Sequence, residues 1–106
     1  MSIQWLFDVI ESRKQHPSEE SYTSRLLAKG LPKIAQKVGE EGTEVVVAAL
    51  AQDDQRLIEE VADLTYHTLV LLAARGLKPQ DVLAELKKRH QLPESSADEQ
   101  ARETPG

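Results

Sequence analysis

Four carboxylates stand in two matched pairs: Glu41 and Glu44 within Glu40-Glu41-Gly42-Thr43-Glu44, and Glu60 and Asp63 within Glu60-Val61-Ala62-Asp63. Residues three apart on a helix share a face, and like charges there are destabilising by roughly 0.2–0.5 kcal/mol. Stepping about 100° per residue puts Glu41 among Ile34, Val38, Val45 and Ala48, inside an apolar stripe flanked by Glu40 and Glu44. Glu60, Asp63 and His67 form a polar strip that runs into Val70 and Leu71. A carboxylate turned toward a core protonates or finds a partner. A divalent cation with a preference for hard oxygen, Mg²⁺ or Mn²⁺, would satisfy all four at once. The alternative is a solvated acidic face, which accounts for Glu40 and Glu59 but poorly for Glu41.

Upstream, Arg25, Lys29, Lys33 and Lys37 recur every four residues. The break at Gly30-Leu31-Pro32 leaves open whether they share one face. Lys preceding Glu is the weaker orientation for a helical ion pair, so Lys37 and Glu41 make a poor simple salt bridge. A carboxylate-held metal approached by cations suits a polyphosphate, with solubilising lysines as the alternative. His67 either contacts substrate or satisfies its hydrogen bonds internally, beside Asp63. Gly39 and Gly42, each costing a helix about 1 kcal/mol relative to Ala, admit close approach of a ligand or another backbone, or serve plain packing. Trp5 is expected in a core or an interface. No P-loop, G-x-G-x-x-G, H-E-x-x-H or G-x-S-x-G motif accompanies these residues.

The elements that position them read as all-α, one small domain over residues 1–92 of about five helices. The first runs from Ser2 as N-cap to about Lys14, and a short one starts at Ser21-Tyr22-Thr23 and ends at Gly30. A long helix opens with Pro32 at its first position and reaches about Ala51. Asp53 or Asp54 caps a second long helix to Arg75, stopped by Gly76. Pro79 opens the last, to about His90, with Val82, Leu83 and Leu86 expected to face inward. Packed antiparallel, the two long helices would set the carboxylate pairs across a groove. Leu69 to Ala74 is apolar on all sides, which predicts burial against a second copy in a dimeric helical bundle.

Composition bounds the function. The 106 residues, 40% apolar and 29% charged, make one globular domain. The absence of cysteine excludes a disulfide scaffold, a thiol nucleophile and a Cys-ligated zinc. A net charge of −5 argues against nucleic acid as partner. With no apolar run of membrane-spanning length and no leader pattern, a cytoplasmic protein without membrane association is expected. Residues 93–106, PESSADEQARETPG, read as a disordered acidic tail whose deletion should change neither melting nor activity.

Glu40-Glu41-x-x-Glu44 followed by Glu60-x-x-Asp63 resembles the E-E-x-x-E…E-x-x-D signature of the all-α nucleoside triphosphate pyrophosphatases (MazG-like). Ser21-Tyr22-Thr23, Leu26, Gly30, Lys33, Lys37-Val38-Gly39-Glu40-Glu41, Ala62-Asp63-Leu64, Tyr66-His67 and Asp81-Val82 narrow the likeness to the phosphoribosyl-ATP pyrophosphatase family, over roughly residues 3–90. The resemblance implies hydrolysis of phosphoribosyl-ATP to phosphoribosyl-AMP and pyrophosphate in histidine biosynthesis, with Mg²⁺ or Mn²⁺ as cofactor. It implies metal ligation by Glu41, Glu44, Glu60 and Asp63, with Glu40 an auxiliary carboxylate that positions or deprotonates water. It also implies a homodimer, and a stand-alone form, since the fused zinc-dependent cyclohydrolase of some relatives needs cysteines. Arg25, Lys29, Lys33 and Lys37 become candidates for phosphate neutralisation. Arg25 with the hydroxyls of Ser21 and Thr23 would read the second ribose phosphate, because a helix start also offers free N–H groups to an anion. Two other readings remain: a house-cleaning pyrophosphatase for free or modified nucleotides, and a non-catalytic helical metal-binding oligomerisation module.

Overall fold

Each helix of the computed structural model, which describes residues 1–90, begins and ends where local chemistry dictates. The expected tail, 93–106, lies outside the described residues. Among them there are five helices and no strand. Helix α1 spans Ile3–Gln15, with the Ser2 hydroxyl accepting from Trp5 N–H at 3.1 Å. Helix α2, Tyr22–Lys29, is capped in the same way by Ser21, whose Oγ accepts from Ser24 N–H at 3.1 Å. Gly30, at φ 95°, turns the chain into α3, Leu31–Ala51, so Pro32 is the helix's second residue rather than its first. Gln52 and Asp53 alone connect α3 to α4, Asp54–Ala74, and the Asp53 carboxylate caps α4 by accepting from Arg56 N–H at 2.9 Å.

Helix α4 ends on a Schellman motif. Leu77 N–H donates to Leu72 C=O at 2.8 Å and Gly76 N–H to Ala73 C=O at 3.1 Å, with Gly76 at φ 73°. Lys14 of α1 adds a donor to the same end, its Nζ lying 2.9 Å from the Ala73 carbonyl. Helix α5, Pro79–Arg89, starts with the Asp81 carboxylate accepting from Lys78 N–H at 2.9 Å.

The short connector makes α3 and α4 an antiparallel hairpin of two 21-residue helices, each about 31 Å long. Phe7 and Ile10 of α1, Leu26 of α2, Ile34 of α3, and Leu69, Val70 and Ala73 of α4 close the core. Ile10, Ile34 and Val70 are fully buried, each contributing about 1.5–3 kcal/mol of transfer free energy.

Two expectations are corrected here. Leu69, Val70 and Ala73 are covered within the protomer, where they join α1, α2 and α3 in the core, so half of the Leu69–Ala74 stretch is buried without a second copy, while Leu71, Leu72 and Ala74 are only partly buried. One set of uncovered apolar residues lies at the turn end of the hairpin: Val46, Val47 and Leu50 on α3, Ile58 and Val61 on α4, with Leu50 83% exposed. Length explains this. At 13 residues α1 spans about 20 Å and, with the shorter α2, covers only one end of the hairpin. Val82, Leu83 and Leu86 also fail to face inward; all three are exposed, and α5 docks through the buried Pro79. Val82 and Leu83 border an open apolar groove with Ile3, Leu64 and Leu72. Trp5 is half exposed and is no part of the core. No described helix is long and apolar enough to cross a membrane.

Candidate metal and phosphate site

The hairpin brings Glu41 of α3 against Glu60 and Asp63 of α4, and one carboxylate oxygen from each lies within 4.8 Å of the others. Glu41 sits where the apolar stripe demands, its side chain only 12% exposed, and Glu60 is buried to a similar degree. Both are paired with cations one helical turn upstream. Lys37 Nζ lies 3.5 Å from Glu41 Oε2 and 3.6 Å from Glu40 Oε1. Arg56 clasps Glu60 Oε2 and Glu59 Oε1, each at 2.6 Å. The Glu59 hydrogen bond first, then the charge of Glu60, raises the Arg56 pKa.

Octahedral Mg²⁺ holds its oxygens at about 2.1 Å, which sets neighbouring ligands about 3–4 Å apart. An all-oxygen set gathered within 4.8 Å fits such an ion after small rotamer adjustments. Glu44 does not belong to this cluster; it is exposed on α3, close enough to Arg56 to add to that residue's raised pKa. Glu40 points away as well. It accepts a hydrogen bond from Gln36 Nε2 at 2.8 Å, and that bond, with Lys37 nearby, holds its carboxyl below the ordinary range.

A cavity of about 480 Å³ opens beside the cluster, lined among others by Tyr22, Arg25, Lys29, Lys33, Lys37 and Glu40. The break at Gly30 therefore does not scatter the basic ladder: the turn from α2 into α3 gathers all four cations on one cavity. Lys37 belongs to both sites. Burial pulls its pKa down, but the Tyr22 phenol oxygen, Glu41 and Glu40 outweigh this and raise it, so it stays cationic.

Ser21, Thr23 and His67 are engaged elsewhere and do not line this cavity. The Ser21 hydroxyl caps α2, and the Thr23 hydroxyl bonds the Tyr66 hydroxyl. His67, 5% exposed, uses both ring nitrogens: Nδ1 on the Asp63 carbonyl at 2.8 Å and Nε2 on the Tyr22 hydroxyl at 3.0 Å. Sequence reasoning passed over Arg56, whose spacing puts it on one helix face with Glu59 and Glu60 despite the weaker cation-first orientation. The link between Thr23 and Tyr66 left no comparable trace, since the two are distant in the chain. A Cβ added at Gly39 or Gly42 would meet nothing within 4 Å, so packing within the protomer requires neither glycine.

Comparison with known proteins agrees in direction. A family profile described as "Phosphoribosyl-ATP pyrophosphohydrolase" matches residues 4–90. Curated relatives named phosphoribosyl-ATP pyrophosphatase include one from Sulfurisphaera tokodaii, 55% identical over 79% of this chain and 89% of the relative. Another, from Erythrobacter litoralis, is 50% identical over 95% of both chains. A third, from Clostridium botulinum, is 50% identical over 81% of this chain and 78% of its own.

Proposed function

The chain belongs to the phosphoribosyl-ATP pyrophosphohydrolase family, and on that premise we propose that it hydrolyses phosphoribosyl-ATP to phosphoribosyl-AMP and pyrophosphate, a step of histidine biosynthesis in the cytoplasm. One observation carries the reading: a cluster of three carboxylates adjoins a cavity lined by four cations, and Lys37 belongs to both.

Glu41, Glu60 and Asp63 would hold Mg²⁺ or Mn²⁺; Glu44, exposed outside the cluster, would serve as a fourth carboxylate only after a change of rotamer. An ion held there would supply Lewis-acid polarisation of the phosphoryl oxygens and activation of water. The protein's own groups do the remainder. Arg25, Lys29, Lys33 and Lys37 neutralise phosphate oxygens, and Lys37 arrives already cationic. Glu40, which lines the cavity beside Lys37, would position the attacking water from there. Lys37 and Arg56, paired with Glu41 and Glu60, would share those carboxylates with the ion.

The active form is a homodimer in which a second copy covers Val46, Val47, Leu50, Ile58 and Val61. Support comes from their exposure at the turn end of the hairpin that carries the carboxylates.

Pyrophosphate release across a nucleotide panel, with and without Mg²⁺, tests the reading. Phosphoribosyl-ATP should exceed ATP in kcat/KM by at least ~100-fold, about 2.7 kcal/mol of transition-state discrimination. Comparable rates on ATP, dUTP and dCTP would assign the chain to the house-cleaning branch, and Mg²⁺ binding without turnover would make it a binding module.

A further inference from the structure

We propose that Tyr22 and His67 form a positioning relay that sets Arg25 and Lys29, the cations on α2, at a fixed distance from Glu60 and Asp63, the α4 carboxylates of the cluster; the proposal rests on the hydrolase reading above. His67 lies one turn after Asp63, with Nδ1 2.8 Å from the Asp63 carbonyl. A carbonyl only accepts, so Nδ1 carries the hydrogen, and the neutral imidazole presents a lone pair at Nε2. There the Tyr22 hydroxyl, 3.0 Å away, donates. One end of this chain of bonds is the backbone of a residue whose carboxylate sits in the cluster. The other end is a ring on the wall of the cavity that holds Arg25, Lys29, Lys33 and Lys37.

Helix α2 needs such a tie. At 8 residues it is too short to be stable on its own, and its placement comes from what it touches. Leu26 enters the core, Ser24 Oγ donates to the Arg13 carbonyl at 3.3 Å, and successive residues of its first turn reach α4, Tyr22 to His67 and Thr23 to Tyr66. The rings add shape to the joint. His67 meets Tyr22 edge-on at 5.9 Å and Tyr66 edge-on at 5.0 Å between centroids. With both nitrogens engaged and its side chain buried, His67 acts on substrate only through Tyr22.

A substrate held by the carboxylate cluster at one end and the cations at the other depends on their spacing before and during reaction. Loosening that spacing removes binding shared by the ground and transition states, which appears in KM rather than kcat.

Tyr22→Phe keeps the ring and removes the donor. His67→Gln offers an amide oxygen where Nε2 accepts, whereas His67→Leu offers none. Steady-state kinetics on phosphoribosyl-ATP with Mg²⁺, and calorimetric titration with Mg²⁺-tripolyphosphate, should be compared across these variants and wild type. Losing one hydrogen bond of this type predicts about a fivefold rise in KM and in tripolyphosphate Kd for Tyr22→Phe and His67→Leu. Their kcat should stay within about twofold, and His67→Gln should lie nearer wild type. A fall in kcat at constant KM would put Tyr22 on the reacting atoms and overturn the relay, as would unchanged constants or a His67→Gln no better than His67→Leu. If wild type leaves phosphoribosyl-ATP intact, the hydrolase reading fails by itself. The tripolyphosphate titration still decides the relay, which is refuted by equal affinity in wild type and Tyr22→Phe.

Discussion

Glu41→Gln should make the protein more stable and less able to bind a divalent ion. Glu41 faces two like charges, Glu60 and Asp63, with oxygens within 4.8 Å, and is paired with one opposite charge, Lys37, at 3.5 Å; Arg56 on Glu60 makes the pairwise sum that follows an upper bound. With one effective dielectric for all three, the repulsions exceed the attraction by about 2 kcal/mol at a dielectric of about 20 and by about 0.5 kcal/mol at about 80. Glutamine matches the shape and removes the charge, so in EDTA the variant should gain roughly 0.5–2 kcal/mol, a rise of several degrees in Tm. Mg²⁺ at ten times its Kd should stabilise wild type by about 1.4 kcal/mol and leave the variant unmoved. Thermal melts with EDTA and with Mg²⁺, together with pyrophosphate release, read all three effects. A variant that melts below wild type in EDTA, or that gains equally from Mg²⁺ and keeps its activity, would refute the assignment of Glu41 as a ligand held against its neighbours' charge.

Leu50→Glu, at the turn end of the hairpin, should convert a dimer to a helical monomer in light scattering; unchanged mass would place the interface elsewhere. Tyr66 has its pKa raised by burial, partly offset by the Thr23 hydrogen bond. Its contribution to stability is therefore full below the ordinary phenol pKa and lost as pH climbs through the raised one, so ultraviolet titration should show a late-ionising tyrosine that Tyr66→Phe removes. Gly39→Ala should add about 1 kcal/mol in urea melts, because the new methyl meets no neighbour; a loss would reveal a partner backbone at that point.

Much of this structure follows from short-range rules. Ser2, Ser21 and Asp53 cap as their side-chain oxygens dictate, Gly30 and Gly76 take the positive φ that ends a helix, and Glu41 falls within its apolar stripe. What escaped depends on relative helix length and on contacts distant in the chain. An all-round apolar stretch such as Leu69–Ala74 looks the same whether a second copy or the chain's own α1 covers it. Only the docked positions of α1 and α2 decide. The α5 stripe shows the converse: Val82, Leu83 and Leu86 have helical spacing, yet Pro79 and α1 set where the helix lies. At the site, spacing identified the carboxylates and the basic ladder. It could not separate Glu44 from Glu41, Glu60 and Asp63, because that difference is a rotation about α3 relative to α4. The Ser21 cap and a satisfied His67 were legible locally, whereas the Thr23–Tyr66 and Tyr22–His67 bonds were hidden because their partners are distant in the chain.

The two-residue link between α3 and α4 has a consequence for folding order. Contacts between chain neighbours close quickly, because little loop entropy is lost in making them. All three clustered carboxylates lie on this one hairpin, so the metal half of the site can assemble before the rest of the chain has docked. Lys33 and Lys37 come with α3, whereas Arg25 and Lys29 wait for α2, whose partners on α4 are remote in sequence. Early in folding the hairpin thus carries its carboxylates with Lys37 and Arg56 as their only cationic partners among the described residues, and divalent ions present at that stage would favour the native pairing of its two long helices.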